Sequence, residues 1–205
     1  MKIKVCGMRD RQNIADLIAL PIDYIGFIFY EKSPRFVGEN FSIIDFGLIP
    51  SSIKKTGVFV NASSDYISEK INTCKLDCIQ LHGNESPEFC DEIRQKGVTT
   101  IKAFGVHESF DFAVLIPYID HCDYFLFDTK AAAHGGTGIK FDWSILDKYT
   151  IDKPLFLSGG ITIDDVEAIK KLQLPIFCLD INSKFEKSPA LKDVELIKRF
   201  IKAIK

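Results

Sequence analysis

The stretch that decides the fold runs from Asp123 to Trp143 and reads DYFLFDTKAAAHGGTGIKFDW. Its apolar and aromatic run, 124–127, is typical of a strand buried on both faces, as in parallel sheets. The run ends at Asp128, and the carboxyl ends of such strands are where parallel α/β folds bind ligands. The glycines of G-G-T-G at 135–138 indicate a sharp turn or a backbone that closely approaches another group. Asp128 is therefore a candidate site residue, with helix capping as the alternative role.

The same alternation of apolar runs and helical segments continues along the chain. Eight runs predict strands at 3–6, 24–30, 55–60, 78–82, 99–104, 124–128, 154–158 and 175–181. Helical periodicity lies between them at 11–20, 64–73, 86–96, 110–116, 162–172 and 190–204. In segment 31–50 we expect a loop and then a short or irregular helix. The alternation predicts an α/β fold, a parallel eight-stranded (β/α)8 TIM barrel formed by residues 1–205 as a single domain. An open doubly wound sheet is the alternative.

Charge and cysteine content restrict the class of protein. The formal net charge is −2 and no long basic run occurs, which argues against nucleic-acid binding. No apolar stretch approaches the roughly 20 residues of a membrane span, and the N-terminal segment soon becomes charged, so we expect a soluble cytoplasmic protein. The six cysteines are scattered, which predicts reduced thiols and no metal site. No P-loop or dinucleotide motif is present, so we expect no nucleotide cofactor.

In a (β/α)8 barrel, polar residues at the carboxyl ends of the strands form the active site. Lys4 and Cys6 are two residues apart on the first predicted strand, so they face the same side. A nearby ammonium favours the thiolate, which makes Cys6 a candidate base or nucleophile; a small buried hydrophobic residue is the alternative. The other candidates at strand ends are Gly7, Ser33, Pro34, Arg35, Gln80, His82, Asp128, Ser158, Gly159, Gly160, Asp180, Asn182 and Ser183.

The loops after the seventh and eighth strands predict a phosphate site. L-S-G-G-I at 157–161 leads into a helix that Thr162 caps, and N-S at 182–183 follows the eighth strand. Glycine frees backbone amides, and the N-terminus of a helix attracts anions. We therefore predict a phosphorylated small-molecule substrate. The residues expected to hold its phosphate are Gly159, Gly160, Asn182 and Ser183.

Six motifs on successive predicted loops together resemble the phosphoribosylanthranilate isomerase family. They are K-V-C-G-M at 4–8, S-P-R-F-V at 33–37, Q-L-H-G at 80–83, F-D at 127–128, G-G-T-G at 135–138 with F-D-W at 141–143, and L-S-G-G-I at 157–161. Segments 179–186 and 188–193 are similar to the family's D-V-x-S-G-V-E and P-G-x-K-D elements. Lys184 and Ala190 stand there in place of the usual glycines, which affects the shape of the phosphate loop.

The resemblance implies an enzyme of tryptophan biosynthesis. Its reaction is the Amadori rearrangement of N-(5-phosphoribosyl)anthranilate to 1-(2-carboxyphenylamino)-1-deoxyribulose 5-phosphate, without metal or organic cofactor. Asp128 would be the general acid that protonates the ribose ring oxygen. Cys6 would be the general base that takes the C2 proton, which requires a thiolate and hence a lowered pKa of Cys6.

The resemblance also implies the residues that bind the substrate. Arg35 presents a planar fork suited to the anthranilate carboxylate. Gln80 and His82 would orient the substrate, and Asp180 would hydrogen-bond the ribose chain. The expected oligomeric state is a monomer or a homodimer.

Other barrels with phosphorylated ligands are the alternatives. A ribulose-phosphate epimerase would carry metal-ligating histidines at its strand ends, where this chain has one well-placed histidine. An indole-glycerol-phosphate synthase would need a catalytic lysine arrangement that the sequence lacks. A catalytically silent phosphate-binding barrel has no need of both Cys6 and Asp128. A thiol-redox protein would need a resolving cysteine near Cys6, and a bifunctional isomerase would use an aspartate in place of Cys6.

Overall fold

The computed structural model describes residues 1–38, 46–129 and 143–205. Eight parallel strands form a closed barrel in sequence order. They are β1 (Lys2–Val5), β2 (Tyr24–Ile28), β3 (Lys54–Phe59), β4 (Cys78–Leu81), β5 (Thr99–Val106), β6 (Tyr124–Thr129), β7 (Leu155–Leu157) and β8 (Ile176–Ile181). β1 closes the barrel on β8, with Lys4 opposite Asp180. The predicted (β/α)8 barrel is confirmed.

α-Helices follow several strands, and their first turns are capped by side chains. The helices are Arg11–Ile18, Ser64–Cys74, Pro87–Arg94, Val166–Lys171 and Val194–Ile204. Asp10, Ser63, Ser86 and Asp193 precede four of them, and each accepts a hydrogen bond from a backbone N–H three residues later. Among the described residues, no helix is long and apolar enough to cross a bilayer.

Three predicted helices differ from the observed elements. The segment predicted at 110–116 is the 3-10 helix Phe112–Tyr118, in which Pro117 has no N–H to continue an α-helical ladder. The segment at 162–172 begins with a 3-10 turn, Ile163–Asp165, before Val166–Lys171.

The helix predicted from residue 190 begins only at Val194. The preceding residues form an antiparallel hairpin of β9 (Glu186–Ser188) and β10 (Leu191–Lys192). Part of the predicted loop and helix at 31–50, residues 39–45, lies outside the described residues, as do 130–142 with the G-G-T-G motif and its neighbours Phe141 and Asp142.

The core has two parts because side chains alternate along each strand. Leu126 belongs to the smaller cluster, which fills the barrel, while Phe125 and Phe127 belong to the larger one, which includes the helices. Within the barrel, Tyr24 and Tyr124 each meet Phe156 edge-on at 5.4 Å between ring centroids. The filled barrel interior leaves its carboxyl end as the place where polar side chains gather.

Candidate active site

A cavity opens at the carboxyl end of the barrel, and every residue assigned to catalysis, substrate binding or phosphate binding lines it, whereas the strand-end candidates Gly7, Ser33 and Pro34 do not. The residues predicted for catalysis and substrate binding in its wall are Cys6, Arg35, Gln80, His82, Asp128 and Asp180. The four residues predicted for phosphate binding, Gly159, Gly160, Asn182 and Ser183, form the part of the wall that Lys184 extends. Ile28, Val58, Ser158 and Ile161 complete the lining. Residues far apart in the sequence are therefore brought together, as a barrel requires.

A buried lysine, Lys4, contacts two residues of the cavity wall. The Nζ atom of Lys4 donates to Oδ2 of Asp180 at 2.7 Å and to Oε1 of Gln80 at 2.6 Å. The pairing of β1 with β8 sets Lys4 opposite Asp180, which explains the contact. The other carboxylate oxygen of Asp180, Oδ1, is buried and has no hydrogen-bond partner among the described residues. Asp180 thus keeps one acceptor for a ligand hydroxyl.

The ionisation of Cys6 differs from the sequence-based expectation. Burial raises the pKa of the Cys6 thiol, and the neighbouring Lys4 ammonium only partly opposes this effect. The expected lowering of the Cys6 pKa is therefore wrong. Burial acts to lower the pKa of Lys4, but Asp180 and Cys6 outweigh it and raise that pKa, so Lys4 stays charged. Because Lys4 is paired with Asp180, whose charge itself raises the Cys6 pKa, its help to the thiolate is incomplete.

Gln80 and His82 connect Lys4 to Asp128. The Lys4 ammonium can only donate, so Gln80 must present Oε1 to it and Nε2 to Nδ1 of His82, 3.0 Å away. His82 then accepts at Nδ1 and carries its hydrogen on Nε2. That nitrogen lies 3.3 Å from Oδ2 of Asp128, and the two side chains are 31% and 36% exposed. One oxygen of Asp128 thus faces a donor, while the side chain remains accessible from the cavity.

Arg35 is held by Glu186, and Lys192 in turn holds Glu186. The sequence analysis identified neither of these two residues. The Nε and Nη2 atoms of Arg35 donate to the carboxylate of Glu186, with distances of 2.7 to 2.9 Å. Lys192 donates from Nζ to Oε1 of Glu186 at 2.5 Å and to Oδ1 of Asn182 at 2.6 Å. Both residues lie within motifs of the resemblance, at the end of 179–186 and in 188–193. That position was the only signal in the sequence.

Two glycines make room for the side chains of the site. A Cβ atom at Gly7, where φ is +79°, would lie 2.8 Å from Cδ of Arg35 and 2.9 Å from Oδ1 of Asn182. A Cβ at Gly26 would lie 2.8 Å from Sγ of Cys6. Each of these distances is too short for a Cβ atom, so both positions require glycine. Gly26 was missed in the sequence because its role depends on the neighbouring strand.

Residues of the loops after β7 and β8 line the same cavity. Gly159 and Gly160 have φ angles of +91° and +66°, in the left-handed region that favours glycine. The following turn is capped by Thr162 and Asp165, with the Thr162 N–H donating to Oδ2 of Asp165 at 2.7 Å. Phosphate binding by these residues stays a prediction.

A (β/α)8 barrel whose strand ends bring a thiol, carboxylates and glycines into one cavity has the architecture of a barrel enzyme. Residues 3–203 match the model of the family described as N-(5'phosphoribosyl)anthranilate (PRA) isomerase. The chain belongs to this family, and the predicted isomerase class is confirmed.

Individual relatives agree over the full length. An N-(5'-phosphoribosyl)anthranilate isomerase of Parabacteroides distasonis is 48% identical over 209 residues, covering 100% of this chain and 93% of the relative. One from Phocaeicola vulgatus is 38% identical over 206 residues, covering 100% and 98%.

Solved structures show the same fold. The Thermotoga maritima phosphoribosyl anthranilate isomerase superposes with a TM-score of 0.89 at 32% identity, covering 100% of this chain and 98% of that one. A phosphoribosyl anthranilate isomerase in complex with reduced 1-(o-carboxyphenylamino)-1-deoxyribulose 5-phosphate superposes with a TM-score of 0.87 at 29% identity, with the same coverage.

Proposed function

We propose that the chain converts N-(5-phosphoribosyl)anthranilate to 1-(2-carboxyphenylamino)-1-deoxyribulose 5-phosphate in tryptophan biosynthesis, with Asp128 as general acid and Cys6 as general base. The observation that carries this proposal is that both residues line one cavity, whose wall also includes Arg35 and the glycines of the loop after β7. A relative binds a reduced, phosphorylated analogue of the product in a barrel of the same shape. The substrate carries a carboxylate on its anthranilate ring and a phosphate on its ribose. Arg35 supplies a positive charge for the carboxylate, and the loop of Gly159 and Gly160 supplies backbone amides for the phosphate.

The first step is opening of the ribose ring. Asp128 gives its proton to the ring oxygen, the C1–O bond breaks, and the nitrogen lone pair forms the Schiff base. The Nε2 atom of His82 lies 3.3 Å from Oδ2 of Asp128. We therefore assign the proton that is delivered to the substrate to the other carboxylate oxygen, Oδ1.

The second step is removal of the C2 proton by the Cys6 thiolate. The C–H electron pair forms the C1=C2 bond, and the electrons of the C=N bond return to nitrogen, giving an enolamine. Protonation at C1 and loss of the C2 hydroxyl proton then give the ketone. The protonated Schiff base carries a positive charge, which adds to that of Lys4 and favours the thiolate against the effect of burial.

Substrate binding is assigned to the rest of the wall. Arg35 binds the anthranilate carboxylate, Gln80 and His82 orient the sugar, and the free oxygen of Asp180 accepts from a ribose hydroxyl. The phosphate is held by Gly159, Gly160, Asn182 and Ser183. The proton transfers are assigned to side chains of the protein, and the expected absence of a metal or organic cofactor stays a prediction.

Several sequence-based expectations stay predictions. They are a single domain for residues 1–205, a cytoplasmic location, no binding to nucleic acid or membrane, and a monomeric or homodimeric state. Dimeric and monomeric forms are named for the Thermotoga maritima relative.

The proposal is tested by following the fluorescence of phosphoribosylanthranilate as the purified protein is added. Cys6→Ala and Asp128→Asn should each lower kcat by roughly 10²- to 10⁴-fold. Cys178→Ala is the matched control, because Cys178 is equally buried but lies among the side chains that fill the barrel. Substrate that binds to wild-type protein without any loss of fluorescence would favour the silent phosphate-binding barrel instead.

A further inference from the structure

The guanidinium group of Arg35 is already engaged on one edge. Its Nε and Nη2 atoms form the side-on fork to Glu186, at 2.9 Å from Nε and 2.7 Å from Nη2. A guanidinium has a second bidentate edge, made of Nη1 and the other hydrogen of Nη2. Arg35 lines the cavity, and within residues 1–38, 46–129 and 143–205 its guanidinium donates only to Glu186, so this second edge is the one available to a ligand carboxylate.

Glu186 is itself fixed from the opposite side. Lys192, whose side chain is fully buried, donates to Oε1 at 2.5 Å, and the backbone N–H of Ala190 donates to the same oxygen at 3.3 Å. The Glu186 side chain is 4% exposed. A carboxylate held by two cations and a backbone amide has little freedom to turn, so it fixes the plane of the guanidinium group it binds.

The cluster formed by Arg35, Lys192 and Glu186 carries a net positive charge. Arg35 and Lys192 each contribute one positive charge, and Glu186 contributes one negative charge. One additional carboxylate would neutralise the cluster, which matches the single ring carboxylate of the proposed substrate.

We infer that Glu186 is a positioning residue that holds Arg35 by its Nε–Nη2 edge, so that the Nη1–Nη2 edge binds the carboxylate of the substrate. This inference rests on the proposed function. The competing arrangement is one in which Glu186 occupies Arg35 in place of the substrate and must be displaced. The two arrangements predict opposite effects of removing Glu186. Loss of a positioning residue weakens binding of the substrate carboxylate, whereas loss of a competitor strengthens it.

The test is direct binding, measured calorimetrically, of two ligands that differ only in the ring carboxylate. One is reduced 1-(o-carboxyphenylamino)-1-deoxyribulose 5-phosphate, and the other is its phenylamino analogue without the carboxylate. We expect Glu186→Gln to raise the Kd of the first by about ten- to hundredfold, the range for lost alignment of charged hydrogen bonds, and to change the second by less than about threefold.

Two further variants keep the test decisive if Glu186→Gln folds poorly. Glu186→Asp retains the charge beside Lys192 but withdraws the carboxylate from Arg35, and we expect a smaller loss confined to the carboxylated ligand. Glu85→Gln is the matched control, since it breaks a comparable buried pair with Lys102, 2.9 Å long, that does not line the cavity. It should not separate the two ligands.

Tighter binding of the carboxylated ligand, an unchanged Kd, or equal weakening of both ligands by the Glu186 variants would overturn the inference. Failure of the proposed function is distinguished by the fluorescence assay, because wild-type protein would then leave phosphoribosylanthranilate unconverted whatever the two Kd values are. If wild type prefers the carboxylated ligand and the Glu186 variants keep that preference, only the role of Glu186 is refuted.

Discussion

Replacing Lys4 by methionine removes a buried positive charge while keeping a side chain of similar length. Lys4 is fully buried and its partner Asp180 is 4% exposed. Removal of one partner of a buried ion pair leaves an uncompensated charge and costs about 3–5 kcal/mol. In a protein of this size each kcal/mol corresponds to about 2–4 °C, so Tm should fall by roughly 6–20 °C.

The cause of that loss is tested by adding Asp180→Asn to Lys4→Met. The second substitution removes the stranded carboxylate, so most of the lost Tm should return, although Asp180→Asn alone destabilises the wild type. Thermal unfolding of the four proteins, followed by circular dichroism, gives the coupling between the two sites. Additive losses would refute the view that this pair is held by compensation of charge.

The same variant tests the electrostatic role of Lys4 beside Cys6. The Lys4 ammonium lowers the pKa of the Cys6 thiol against the effect of burial, so its removal should raise that pKa further. At any given pH the fraction of thiolate then falls. The rising limb of kcat/KM against pH should therefore move to higher pH in Lys4→Met, and an unmoved limb would remove Lys4 from the ionisation of Cys6.

Other substitutions probe backbone strain, steric fit and buried charge. Ala190 has φ +68°, so Ala190→Gly should stabilise the fold by about 1 kcal/mol and raise Tm by a few degrees in a thermal melt. Gly26→Ala would bring a Cβ to 2.8 Å from Cys6 Sγ, and we expect up to about 10²-fold loss of kcat with a smaller change in KM in steady-state kinetics. Burial alone would raise the pKa of Glu85, but Lys102 outweighs burial and the net shift of the pKa is downward. The stability that the ionised Glu85 contributes to the fold is therefore present above pH 4.5 and is lost as the pH falls through the lower pKa of the folded state. The Tm difference between wild type and Glu85→Gln should accordingly stay constant above pH 4.5 and narrow as the pH is lowered below 4.5.

The barrel and the location of its site follow from local patterns. Each buried strand is an apolar run that local periodicity detects, and the parallel sheet then directs all strand ends to one face. Asp128 was therefore identified from the run before it, and Gly159 and Gly160 from the loop after the seventh strand. These inferences need only the neighbouring residues and the rule that strand ends meet.

The partners of the site residues depend on contacts across the barrel, which local patterns do not contain. Lys4 and Asp180 are 176 positions apart, and Arg35 and Glu186 are 151 apart. The pKa of Cys6 results from burial and a nearby charge of opposite effect, and the sequence revealed only the charge. The helix predicted from residue 190 extended too far because cross-strand hydrogen bonds with β9 outweigh the helical pattern at β10.

The assignment of Cys6 as general base and Asp128 as general acid is tested most directly by the kinetic isotope effect of deuterium at ribose C2. The measurement is single turnover of labelled and unlabelled phosphoribosylanthranilate, with the protein in excess, in Cys6→Ser and Asp128→Asn. In Cys6→Ser, proton abstraction should limit the rate, so the labelled substrate should react several times more slowly. In Asp128→Asn, ring opening should limit the rate, and the isotope effect should vanish. The opposite pattern, or the same effect in both variants, would contradict the assignment of base and acid.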